Sequence, residues 1–62
     1  MMPTETDVLN ALDELGDVHK QFEALARAGS LGSSKDIIDD LELRMRRALA
    51  VLHADRRAKA RN

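Results

Sequence analysis

Apolar side chains recur at steps of three and four residues through the first part of the chain. The recurring positions are Val8, Ala11, Leu12, Leu15, Val18, Phe22, Leu25 and Ala26. At about 100° per residue they fall within one arc of about 140°, and charged and amide side chains occupy the opposite side. The pattern predicts an amphipathic first helix over residues 5–28, which would be about 36 Å long.

Local chemistry favours a start and an end for this helix. The hydroxyl of Thr4 can cap the free amides of the first turn, where Asp7 complements the positive end of the helix dipole. Gly29 is placed to take the left-handed conformation that ends many helices, with Leu31 folding back on the last turn as in a Schellman cap. Residues 29–33 are therefore predicted to form a loop.

A second apolar stripe follows the loop and then stops. Ser33 and Asp36 match a capping box, so the second helix is predicted to begin there and to run over residues 34–58. Its stripe occupies an arc of about 120°. The stripe consists of Ile37, Ile38, Leu41, Met45, Ala48, Leu49 and Leu52. Charged residues then take the same face, which predicts a basic, frayed C-terminus.

Two long helices joined by a short loop are predicted to pack side by side in opposite directions, as an αα-hairpin. The expected fold is all-α, a two-helix antiparallel hairpin in one domain over residues 1–62. Residues 1–42 carry a net charge of −7 and residues 43–62 a net charge of +6. Antiparallel packing would bring the acidic start of the first helix beside the basic end of the second, and ion pairs there would fix the orientation.

A chain of 62 residues without cysteine has little core and no disulfide to supplement it. Each helix of a hairpin has one neighbour, whereas apolar arcs of this width can face two. We therefore expect a homodimer in which two hairpins form a four-helix bundle. The residues predicted to form the bundle are Leu12, Leu15, Phe22, Leu41, Met45 and Leu52.

The side chains show no arrangement typical of catalysis, metal binding or cofactor binding. His19 and His53 stand in no recognised ligand spacing. His19 lies at the edge of the first stripe, where it is either a solvated rim residue or a polar group in the dimer interface. The acidic residues near Asp36 follow a helix start and complement its dipole. We therefore predict that the protein is not an enzyme and needs no cofactor or metal.

The chain has no run of 18 apolar residues and does not begin like a signal peptide, so a cytoplasmic, soluble protein is expected and a membrane protein is not. Its Ala- and Arg-rich end suggests a bacterial or phage origin. The two-helix plan is similar to that of plasmid copy-control hairpins, small secretion co-chaperones and phage-encoded inhibitors. No residue motif selects among these groups.

We predict a non-catalytic protein–protein interaction module, such as a small adaptor, inhibitor or co-chaperone. A strip of apolar and small residues on the far side of the second helix is suited to a partner helix. The partner-binding residues predicted there are Leu43, Arg47, Val51 and Ala54. The alternative is a nucleic-acid-binding regulator that uses the Arg-rich second helix, including Arg44. This alternative lacks nearby aromatic residues for base stacking.

Overall fold

The computed structural model describes residues 2–60, which form two long helices joined by a short turn. Helix α1 spans Glu5–Arg27, helix α2 spans Lys35–Ala60, and a 3-10 turn, Leu31–Ser33, lies between them. The part of the chain described contains no strand, and its extents are 46 × 15 × 14 Å. The predicted all-α hairpin is confirmed. Neither helix of this part of the chain has the length and apolarity needed to cross a membrane.

The start of α1 is capped as predicted, with one bond more than expected. The amide of Asp7 donates to Thr4 Oγ1 at 3.1 Å, and the amide of Thr4 donates to Asp7 Oδ2 at 3.0 Å. This reciprocal pair forms a capping box. It satisfies two backbone amides that have no partner within the helix. The chain therefore enters α1 at a defined residue and angle.

The end of α1 is a Schellman motif centred on Gly29, which has a φ of 68°. The amide of Ser30 donates to the carbonyl of Leu25 at 2.9 Å, and the amide of Gly29 donates to that of Ala26 at 3.1 Å. Only glycine adopts this backbone conformation without a steric cost from Cβ. The predicted reversal at Gly29 is confirmed. Leu31, which begins the 3-10 turn, stays 44% exposed and is not buried against the helix end.

Helix α2 begins later than the sequence predicted. Ser33 ends the 3-10 turn, and its hydroxyl donates to the carbonyl of Ser30 at 3.3 Å. The carbonyl of Ser34 accepts the amide of Ile38 at 2.9 Å, which makes Ser34 the residue that precedes the helix. The predicted capping box of Ser33 and Asp36 is therefore wrong, because the 3-10 turn takes up Ser33.

At its other end α2 continues to Ala60, two residues beyond its predicted end. The first part of the predicted basic extension is thus helical. The remainder of the predicted frayed C-terminus, residues 61–62, lies outside the described residues.

The core is a narrow seam between the two helices. Ala11 and Val18 of α1 face Leu41 and Ala48 of α2, and each of these four side chains is at most 5% exposed. The seam positions are seven residues apart on each helix, so one stripe of each helix faces the other. Leu41 is the large side chain that the seam buries fully. Most other large apolar residues of the helices are only partly covered.

Leu41→Ala should lower the free energy of unfolding by about 2–5 kcal/mol, because it empties a buried site in the seam. Leu43→Ala is the matched control, since Leu43 lies on the same helix and is 45% exposed. We expect this control to cost less than about 0.5 kcal/mol. Denaturant unfolding of both variants at one protein concentration, followed by circular dichroism, makes the comparison. Equal losses from the two variants would place Leu41 outside the core.

Candidate interaction surfaces

One side of the hairpin is held by a cluster of polar side chains around Arg44 of α2, here called the Arg44 cluster. Arg44 Nε donates to Glu14 Oε1, and Arg44 Nη2 donates to Asp17 Oδ2 at 2.6 Å. Gln21 Nε2 donates to the same Asp17 oxygen at 2.8 Å. The Arg44 side chain is 26% exposed, so the cluster is partly shielded from water. It holds the two helices together and fixes their positions relative to each other along the hairpin axis. The position of a residue along this axis is here called its height.

The charges in this cluster stabilise one another. Hydrogen bonds from Arg44, and then from Gln21, hold the pKa of the Asp17 carboxyl below its ordinary value of 3.8. Bonds to Glu14 and Asp17 raise the pKa of the Arg44 guanidinium in turn. Each shift has the same cause, since a hydrogen bond to the charged form favours that form. Arg44 is thus engaged within the hairpin by α1 carboxylates, although the nucleic-acid alternative would use it for phosphate.

The expected ion pairing between the acidic start of α1 and the basic end of α2 is wrong in detail. Glu14 and Asp17 pair with Arg44, near the middle of the hairpin. Lys59 pairs instead within its own helix, with Asp55 at 3.0 Å. The reason is the position of each residue along its helix. Glu14 lies near the middle of α1, so its partner on the antiparallel helix lies near the middle of α2 and not at its C-terminus.

Asp17→Asn should reduce the sensitivity of the hairpin to acid. The folded-state pKa of Asp17 is lowered, so its pairing contributes stability above about pH 4, the pKa of an unpaired carboxyl. That contribution is lost as the pH falls through the folded-state pKa. The measurement is the free energy of unfolding between pH 2 and pH 6 at low salt.

The matched control is Asp13→Asn. Asp13 is an exposed residue of the same helix and makes no ion pair among residues 2–60. We expect the Asp13 variant to keep the pH dependence of the parent chain. Identical profiles for the two variants would show that the Arg44 cluster does not contribute to stability.

The other side of the hairpin is apolar. The Arg44 cluster lies on one flank of the seam, and at 3.6 residues per turn the opposite flank carries a row of large apolar residues on each helix. These two rows, here called the apolar face, are Val8, Leu15 and Phe22 on α1 and Ile38, Met45 and Leu52 on α2. All six residues are half-buried, because the neighbouring helix covers one edge of each row. The rest of each side chain faces solvent in the single hairpin.

The residues predicted to form a bundle are brought together by this arrangement. Leu15, Phe22, Met45 and Leu52 belong to the apolar face itself. Leu12 lies at its border and is 49% exposed, whereas Leu41 is only 1% exposed and lies in the seam between the helices. Five of the six predicted residues thus lie on one side of the hairpin, and the sixth lies beneath them. Val8 and Ile38 complete the rows but were not among the predicted site residues.

The residues predicted to bind a partner lie on a different side of α2. Leu43 is 45% exposed, Arg47 is exposed, and Val51 and Ala54 are half-buried. Arg47 and Val51 line a shallow groove that is shared with α1 on the flank of the Arg44 cluster. Leu43 and Ala54 are not among the residues that line this groove. The four residues therefore share one side of α2 but do not form one pocket.

The histidines lie at the surface. The His19 side chain is 77% exposed, and its Nε2 lies 3.8 Å from Glu23 Oε2. His19 is therefore a rim residue of the single hairpin, beside the apolar face. His53 is exposed on α2. Across residues 2–60, no three or more His, Cys, Asp or Glu side chains are grouped so that they could hold a metal ion.

Comparison with known proteins adds no relative to this description. No protein-family model matches the chain, and neither a curated protein nor a solved structure matches it at a significant level.

Proposed function

We propose that this protein is a non-catalytic protein–protein interaction module that binds through its apolar face. The observation that carries the proposal is the position of the two half-buried rows on one side of the hairpin, with the 49% exposed Leu12 beside them. Continuous apolar surface with a charged rim is typical of protein interfaces. Covering it would stabilise the hairpin by about 25 cal/mol for each Å² of apolar surface removed from water.

The first partner that we propose is a second copy of the chain, so that two apolar faces close into a four-helix bundle. The seam buries mainly small side chains, which is little for a domain of this length. The rows also match in height: Val8 lies level with Leu52, and Leu15 with Met45. Each level of a homodimer would then hold one large apolar residue from each of four helices, as in known four-helix bundles.

Such a bundle would leave the outer side of α2 free for a different protein. Leu43 is exposed there, and Arg47 and Val51 extend this surface into the groove shared with α1, with the half-buried Ala54 on the same side of α2. Small and aliphatic residues there permit close approach of a partner helix. On this basis we propose a role as an adaptor, an inhibitor or a co-chaperone, in the cytoplasm of a bacterium or of a cell infected by phage.

Leu12→Ser should weaken the homodimer, because Leu12 borders the apolar face. The side chain would contribute about 1.5–3 kcal/mol if it is fully covered, and a symmetric dimer contains it twice. Leu43→Ser is the matched control, since Leu43 has a similar exposed fraction (45% against 49%) on the outer side of α2. Light scattering behind size exclusion over a wide concentration range measures the mass of both variants and of the parent chain.

The outcomes separate the parts of the proposal. A parent dimer that survives Leu43→Ser but dissociates more readily with Leu12→Ser supports the apolar face as the dimer surface. A poorly folded parent monomer would reject the homodimer and leave the face for a foreign helix. A parent monomer that stays fully helical and stable at high dilution would overturn the proposal, because the face would then need no partner.

A further inference from the structure

A second pair of stripes borders the apolar face. Its members repeat every seven residues on both helices, which keeps them on one edge of each helix. The α1 stripe consists of Glu5, Leu12, His19 and Ala26, and the α2 stripe consists of Lys35, Glu42, Leu49 and Arg56. Glu42 and Leu49 are half-buried and the other six residues are exposed. These border stripes are thus largely uncovered in the single hairpin.

The Arg44 cluster shows which members of the two stripes lie at the same height. Arg44 bonds across the hairpin to both Glu14 and Asp17, so its height lies between those of the two carboxylates. Equal numbers of residues counted in opposite directions along antiparallel helices preserve equal height. Counting from this midpoint places Leu12 within about 3 Å of the height of Leu49, and His19 within about 3 Å of that of Glu42. The same count brings Glu5 to the height of Arg56, and Ala26 to that of Lys35, equally closely.

We propose that the homodimer has its two-fold axis parallel to the helices, with both loops at the same end and α1 of each copy against α2 of the other. This inference rests on the proposed homodimer. An axis in this direction leaves every residue at its own height, so the α1 stripe of one copy meets the α2 stripe of the other level by level. The two stripes are complementary when they meet in this way.

Three of the four contacts formed by this arrangement agree in charge or polarity. Glu5 meets Arg56 of the other copy at the open end of the hairpin, where opposite charges attract. Leu12 meets Leu49, which covers the most exposed leucine on the border of the apolar face. His19 meets Glu42, and the small Ala26 meets Lys35. Each contact occurs twice because the interface is isologous.

The other two-fold arrangement of the same two faces has its axis across the helices, with the loops at opposite ends and each helix against its own copy. Leu12 would then meet His19, and Glu42 would meet Leu49. At the ends of the α2 contact, Lys35 would meet Arg56. Apolar groups against polar or charged groups, and like charges against each other, disfavour this alternative.

Distances between spin labels test the orientation directly. The chain has no cysteine, so one label site can be introduced at Gly32→Cys in the loop and, in a separate variant, at Ala60→Cys at the open end. A Cβ at Gly32 would meet no atom within 4 Å. With the loops together, both variants should give distances of about 30 Å or less, the width of a four-helix bundle of helices about 10 Å apart.

With the loops apart, both distances should approach the 46 Å length of the hairpin. Long distances in both variants would overturn the proposed orientation while leaving the homodimer intact. A monomeric mass without any dipolar coupling would instead overturn the homodimer, and with it this inference. Circular dichroism and light scattering on each labelled variant confirm that the labels leave helicity and mass unchanged.

Disulfide trapping gives a second, independent test with a matched control. Leu12→Cys mixed with Leu49→Cys should form a disulfide between copies, because the proposed contact brings the two Cβ atoms close enough for the bond. Leu12→Cys mixed with His19→Cys is the control and should form at least tenfold less of the disulfide between copies. The opposite ratio would favour α1 against α1 with the loops at opposite ends, and it would overturn the proposal.

Discussion

A helix in a hairpin has one neighbour, and one neighbour covers one stripe. In this protein the covered stripe is the seam, in which Ala11 and Ala48 allow close approach while Val18 and Leu41 fill the space between the helices. The larger apolar residues lie beside this seam and are only half-buried. The apolar arc of each helix is therefore wider than one neighbouring helix can cover, and the architecture depends on this constraint. It requires a further surface if the hydrophobic residues are to leave water.

The Arg44 cluster gives the hairpin two unlike sides. By bonding to Glu14 and Asp17, Arg44 places its charge and theirs on one flank of the seam. Exposed ion pairs contribute little net stability, in general about 0–1 kcal/mol each. Their value here lies in orientation, because a rotation of either helix would separate the charges. With the helices held in this setting, the two rows of the apolar face point to the opposite flank.

The sequence was sufficient for those features that depend on local chemistry. Periodicity predicted both helices, and Gly29 marked the end of the first because its left-handed conformation excludes most other residues. Competition between local motifs explains the error at the start of the second helix. The hydroxyl of Ser33 could cap that helix, but it belongs to the 3-10 turn and donates to the carbonyl of Ser30 instead. A single sequence contains no information that decides between two such similar uses of one hydroxyl.

The Arg44 cluster was missed for a different reason. Periodicity places each stripe within an arc, but the exact rotation of one helix against the other decides which border residues meet. From the sequence, Arg44 was considered only for phosphate binding, as part of the Arg-rich second helix. The sequence did contain a signal for this cluster. It places a carboxylate on the border of one stripe and an arginine at a similar height on the border of the other. Using it requires the register of the hairpin, which the loop length alone leaves uncertain by a residue or two.

If the apolar face is covered by a second copy, folding and association become one equilibrium. The stability of each hairpin then depends on protein concentration, because only folded chains associate and association therefore favours the folded state. A two-fold axis along the bundle would place the outer side of α2 of each copy at opposite corners, facing away from the other. A third protein that recognises Leu43 and Arg47 would accordingly be bound twice, once on each side. Weak binding at each site would then hold two such partners at a fixed separation, and only as long as the bundle itself is assembled.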